Sequence, residues 1–118
     1  MVLDVSNKHL NLNNGILEFN KKPFTGKIVS SFTDGQLQSE VFYKDGLKEG
    51  KEKQWNIDGA LVVERLYAEG IKTEIHKSWW DNGNLKFEYH FNSKGEFHGM
   101  VKEWYANGLL LMDFNTRI

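Results

Sequence analysis

The sequence predicts an all-β fold: a single-layer antiparallel meander of repeated β-hairpins with a period of about 24 residues. Three observations predict it. Asp-Gly or Asn-Gly dipeptides place Gly35, Gly59, Gly83 and Gly108 at spacings of 24, 24 and 25 residues. Around each glycine the same residue types recur. Leu37, Leu61, Leu85 and Leu110 lie two residues after it, Glu40, Glu64, Glu88 and Asp113 five after it, and Trp55, Trp79 and Trp104 four before it. Finally, no apolar set recurs at helical spacing over a useful length, while 11 glycines against one proline suit tight turns between strands.

The units run 26–49, 50–73, 74–98 and 99–118, with a degenerate copy at 8–25 built around "LNLNNGILEF" and Asn14-Gly15. Each holds two strands of about eight residues and two short connections. Asp-Gly and Asn-Gly supply the positive φ angles of a two-residue type I′ turn, so each unit reads as one hairpin. The second connection ("KDGLKEG", "AEGIKTE", "NSKGEFHG") returns the chain, and the extra residue of the third copy falls there. The whole chain reads as one domain of about ten strands.

With a two-residue turn, Phe32 faces Leu37, Trp80 faces Leu85 and Tyr105 faces Leu110. That face continues through Val41, Tyr43, Val63, Tyr67, Phe87, Tyr89, Phe91, Met112 and Phe114 as an aromatic and apolar stripe. The opposite face carries Trp55, Trp79 and Trp104 and sets Lys53 against Glu64, Lys77 against Glu88 and Lys102 against Asp113. Three correctly signed pairs at one repeat position support the register; each specifies pairing more than it stabilises. In a single layer the aromatics must shield one another along the repeat axis.

The unit "G-x-x-x-x-W-x-x-D/N-G-x-L-x-x-E" followed by "Y-x-x-G" resembles the bacterial variant of the MORN repeat, and the opening "FNKKPFTGKIVSSFTDGQL" is similar to the start of YwqK-like chains. The resemblance covers residues 10–118. It implies a scaffold for binding, and the YwqK-like group implies an antitoxin or immunity role. The third copy departs from the pattern, with Glu74 where the other units begin with glycine.

Composition narrows the remaining chemistry. The 118 residues are 40% hydrophobic and 26% charged with a net charge of −1, which argues against a large nucleic-acid footprint. There is no Cys, and the N-terminus has neither a basic start nor an apolar run of signal-peptide length. No stretch approaches a membrane span. A cytoplasmic protein is expected, without cofactor, metal, nucleic acid or membrane partner. His9, His76, His90 and His98 form no metal-binding pattern, and the register puts His76 and His90 on opposite faces. No nucleophile elbow or phosphate loop is present, so no enzyme is expected.

The expected function is therefore protein binding, with Trp55, Trp79, Trp80, Trp104 and Tyr105 as contact residues, because Trp and Tyr are favoured interface anchors. The expected partner is a cognate toxin or effector. A general interaction scaffold or self-assembling repeat protein is the alternative, with a homodimer through the apolar C-terminal strand "LLLMDFNTRI". Carbohydrate binding and membrane association rank below both.

Overall fold

The computed structural model describes residues 1–116, whose regular elements are all strands. They are β1 (Val2–Asp4), β2 (Leu10–Asn13), β3 (Ile16–Phe19), β4 (Lys22–Pro23), β5 (Gly26–Ser31), β6 (Leu37–Lys44), β7 (Leu47–Trp55), β8 (Leu61–Ala68), β9 (Ile71–Lys72), β10 (Glu74–Trp79), β11 (Leu85–Phe91), β12 (Phe97–Trp104) and β13 (Leu110–Thr116). From β5 to β13 the chain meanders through antiparallel neighbours, as the repeat predicts. The slab measures 46 × 39 × 17 Å.

Two features lie outside the repeat pattern. β1 joins the main sheet parallel to β5, with Leu3 opposite Ile28. The copy around Asn14-Gly15 folds as a hairpin, but it forms its own three-stranded sheet of β2, β3 and β4. Backbone bonds tie this small sheet to the return turn of the first full unit: Leu17 N–H donates to the Gly46 carbonyl at 2.9 Å, and Gly46 N–H donates to the Phe24 carbonyl at 2.8 Å. Gly46 has no room for a side chain there; a Cβ would strike Ile16 and lie 2.9 Å from the Leu17 carbonyl.

The expected turn types are exchanged. At the repeat dipeptides the loop has three residues. Phe32 N–H donates to the Gln36 carbonyl at 2.8 Å and Gly35 N–H to the Phe32 carbonyl at 2.9 Å, and only Gly35 has positive φ, 90°. This is a type I turn closed by a left-handed glycine, and it recurs at Gly59, Gly83 and Gly108. The two-residue turns with both central residues at positive φ stand on the return side, at Asp45-Gly46 (51° and 82°) and Glu69-Gly70 (51° and 80°). The extra residue of the third copy lengthens that return to three residues, closed by Asn92 N–H to the Glu96 carbonyl at 2.9 Å.

The longer loop corrects the pairing near the turn. Ser31, Trp79 and Trp104, rather than Phe32, Trp80 and Tyr105, stand opposite Leu37, Leu85 and Leu110. A bulge immediately beyond then restores the expected register. Lys53 faces Glu64, Lys77 faces Glu88 and Lys102 faces Asp113, as the charges require.

One face of the sheet is charged along a single row. Glu40, Lys53, Glu64, Lys77, Glu88, Lys102 and Asp113 occupy seven neighbouring strands in alternating sign. Glu40, which the sequence left without a facing lysine, lies opposite Lys53 and also meets Lys27 at 2.7 Å. Slipping any strand by one residue would move its charge to the other face, so the row fixes register.

The other face holds the core. Ile28, Tyr67 and Val101 are buried there with three polar residues, Glu52, His76 and Ser78. The aromatics shield one another: Phe87 stacks on Tyr89 at 4.3 Å, Phe91 on Phe97 at 5.1 Å, and His76 meets Phe91 edge-on at 4.7 Å. The expected stripe is interrupted in the middle by a polar cluster. Glu52 accepts from Lys48 at 2.7 Å, from Arg65 at 3.2 Å and from Gln54 at 3.2 Å. Paired this way, the carboxylate can be buried without stranding a charge.

Candidate functional site

The turns on the Asp/Asn-Gly side form one edge of the slab, and each is shaped by its own side chains. The second loop residue accepts from the N–H two positions on: Asp34 from Gln36 at 2.9 Å, Asn82 from Asn84 at 2.9 Å and Asn107 from Leu109 at 3.0 Å. That bond favours Asp or Asn before the glycine at those three turns; at the Gly59 turn Asn56 accepts from the Asp58 and Ala60 N–H groups instead, both at 3.0 Å. Neighbouring turns are also cross-linked. Asn82 and Asn84 both donate to the Ala106 carbonyl at 2.8 Å, and Asn56 donates to Asp81 at 3.3 Å.

All five sequence-identified residues come together along this edge. Trp55, Trp79 and Trp104 are the last residues of β7, β10 and β12, on the charged face, and all three are half-buried. Each is paired with a leucine: Leu61, Leu85 and Leu110. Trp55 also lines a shallow groove of about 280 Å³ with Gln36, Leu37 and Gly59. Trp80 is held from two sides. Its indole N–H donates to the Trp104 carbonyl at 3.1 Å, and the Lys86 ammonium lies 4.6 Å from its ring centre. Tyr105 begins the last loop and is 51% exposed, which makes it the most open of the five. Around them Ile57 and Leu109 are exposed as well.

Two buried groups lie on the opposite face: Glu52, which sequence reasoning did not single out, and His76, which it named only as having no metal partners. Burial pushes the Glu52 carboxyl up, but the Lys48 hydrogen bond and charge, Arg65 and Gln54 outweigh it and leave the pKa below the ordinary value. Burial pushes the His76 imidazole down, against the hydrogen bond that its Nε2 makes with the Leu66 carbonyl at 2.8 Å. The Glu52 contact was legible, since the register that pairs Lys53 with Glu64 also sets Glu52 opposite Arg65. His76 gave no such sign; its partner is a backbone carbonyl. Farther along, burial and then the Glu103 carboxylate push Tyr89 up to about 12.

His76 and His90 stand on opposite faces, opposite Tyr89 and Ile75 respectively, as the register implies. His90 sits 2.7 Å from Glu88. Among the described residues no three His, Cys, Asp or Glu side chains stand close enough to hold a metal ion. No helix among them is long and apolar enough to cross a membrane. What the edge does offer is a row of large aromatic and apolar side chains on a framework of cross-linked turns.

Comparison with known proteins bears on the repeat. The family model described as "MORN repeat variant" matches residues 24–45, which contain the β5–β6 hairpin, and residues 75–93, which cover the β10–β11 hairpin from Ile75 on. These matches support a MORN-repeat protein. No curated protein matches the chain. A solved structure described as "Crystal structure of GtfA/B complex bound to UDP and GlcNAc" is similar at a TM-score of 0.35 and 9% identity. The similarity covers 92% of this chain and 24% of that one, so the chain spans about a quarter of its length.

Proposed function

We propose that this MORN-repeat chain is a non-enzymatic protein-binding module that neutralises a cognate toxin or effector by occluding it. The observation that carries the binding reading is the gathering of Trp55, Trp79, Trp80, Trp104 and Tyr105 on one edge of the slab. Large aromatic anchors on a preorganised backbone suit a protein partner, because little side-chain freedom is lost on contact. The cross-linked turns supply that preorganisation. The antitoxin role draws on the resemblance of the repeat unit to the YwqK-like group, and with it a cytoplasmic site of action. A general interaction scaffold uses the same edge and differs only in its partner.

The test is affinity capture of the tagged chain from its own cells, run in parallel with Tyr105→Ala and with Trp79→Ala/Trp104→Ala. Circular dichroism first establishes that the variants are folded. The reading expects one stoichiometric protein partner carrying a toxic activity, retained by the parent and lost from the variants. A partner that is equally retained by folded variants removes the aromatic edge from the proposal. A partner without toxic activity leaves the scaffold reading in place of the antitoxin one.

A further inference from the structure

The two ends of the main sheet are treated differently. At one end the three-residue β1 covers β5 and passes directly into a turn closed by Asn7 N–H to the Asp4 carbonyl at 2.9 Å. At the other end, among the described residues, the seven-residue β13 has β12 as its single neighbour. Proteins usually protect such an edge with Lys, Pro or a very short strand. Leu110–Thr116 contains no Lys, no Pro and one charge, Asp113, while Leu110, Leu111 and Phe114 are 50%, 50% and 44% exposed.

The charged row states what the edge lacks. Glu64 and Glu88 each stand between two lysines of neighbouring strands, and Glu40 has Lys53 opposite it and Lys27 at 2.7 Å. Among the described residues Asp113 has a cation on one side alone, Lys102 at 3.9 Å, and its side chain is 46% exposed where that of Glu88 is 17% exposed. On the other face, Tyr89, Val101 and Phe114 form a column across β11, β12 and β13 that ends at the same edge. The next strand in this pattern carries a basic residue on one face and apolar residues on the other.

We propose that β13 is a docking edge for an extended strand of a partner protein, added antiparallel, with Lys or Arg opposite Asp113 and apolar side chains opposite Met112 and Phe114. The inference rests on the protein-binding reading and adds the place and the chemistry of contact. Backbone hydrogen bonds along the edge provide affinity, and the alternating side chains provide selectivity. Within Leu110–Thr116 the chain has no cation of its own to set opposite Asp113. The edge is continuous with the aromatic turns, because Trp104 and Tyr105 lead through the last loop into β13.

The test titrates ¹⁵N-labelled protein with capped peptides of the pattern Thr-Val-Lys-Val-Thr and Thr-Val-Glu-Val-Thr. The Lys peptide is expected to shift the β13 amides and slow their exchange, and to bind about fivefold more tightly than the Glu peptide. In Asp113→Lys the preference should reverse. Equal affinities, or β13 amides that are unaffected by either peptide, overturn the proposal. So does a dimer of the free protein in which the β13 amides are protected. A natural partner that protects the aromatic turns and leaves β13 exchanging freely overturns strand docking while the protein-binding reading stands.

Discussion

Lys102 and Asp113 face each other across β12 and β13, Nζ to Oδ2 at 3.9 Å, as the last rung of a row that alternates in sign across seven strands. Each rung is a weak bond. Together they select one pairing out of many, because every one-residue slip sends a charge to the core face.

The middle of the row is therefore the place to break it. Lys77 stands between Glu64 and Glu88. Lys77→Glu sets three acids side by side and is expected to cost about 1 kcal/mol at low salt, and less at high salt. Urea denaturation at two ionic strengths measures it.

Glu74 holds a φ of 57° at the position where other units have glycine, Gly50 at 82° and Gly99 at 88°. A non-glycine residue there carries a strain of about 1 kcal/mol, partly offset in any glycine variant by the greater freedom of the unfolded chain. Glu74 is exposed and makes no ion pair among the described residues, so little else changes. Glu74→Gly is expected to raise Tm by a few degrees in a thermal melt.

Two glycines of similar φ should respond differently to alanine. Gly59 (85°) has nothing within 4 Å of a Cβ, whereas at Gly46 (82°) the added methyl meets Ile16 and the Leu17 carbonyl. Gly59→Ala should cost about 1 kcal/mol, the backbone strain alone. Gly46→Ala should cost distinctly more and weaken the junction with the small sheet, seen as faster amide exchange at Leu17.

Acid should act in two stages. His76 has a lowered folded pKa, so as pH falls below about 6.5 the unfolded chain takes a proton that the folded chain resists, and stability declines. Glu52 also has a lowered folded pKa, so its contribution is present above about 4.5 and is lost as pH falls through the folded value. Urea midpoints from pH 7 to pH 3 should show both declines. His76→Phe should flatten the first and leave the second.

The period, the hairpins and the strand-body register were legible because charge and apolar type repeat at fixed offsets from each turn glycine. The turn type was not. Asp-Gly serves equally in a two-residue turn and as the end of a three-residue loop, and the bulge after Trp55, Trp79 and Trp104 hides the difference two residues later. The parallel placement of β1 was beyond local reading, since it depends on contacts such as Lys27 N–H to the Met1 carbonyl at 2.9 Å. The aromatic edge was legible in composition and position. Which members are open and which are held was not, because Trp80 is fixed by a carbonyl 24 residues away.

Hydrogen–deuterium exchange of the chain alone and with its captured partner tests most directly whether this edge is a binding surface. Protection at residues 55–60, 79–84 and 104–109, continuing into β13 where the partner strand docks, is the result the account predicts. Protection confined to the opposite face, around Glu52 and His76, would contradict it.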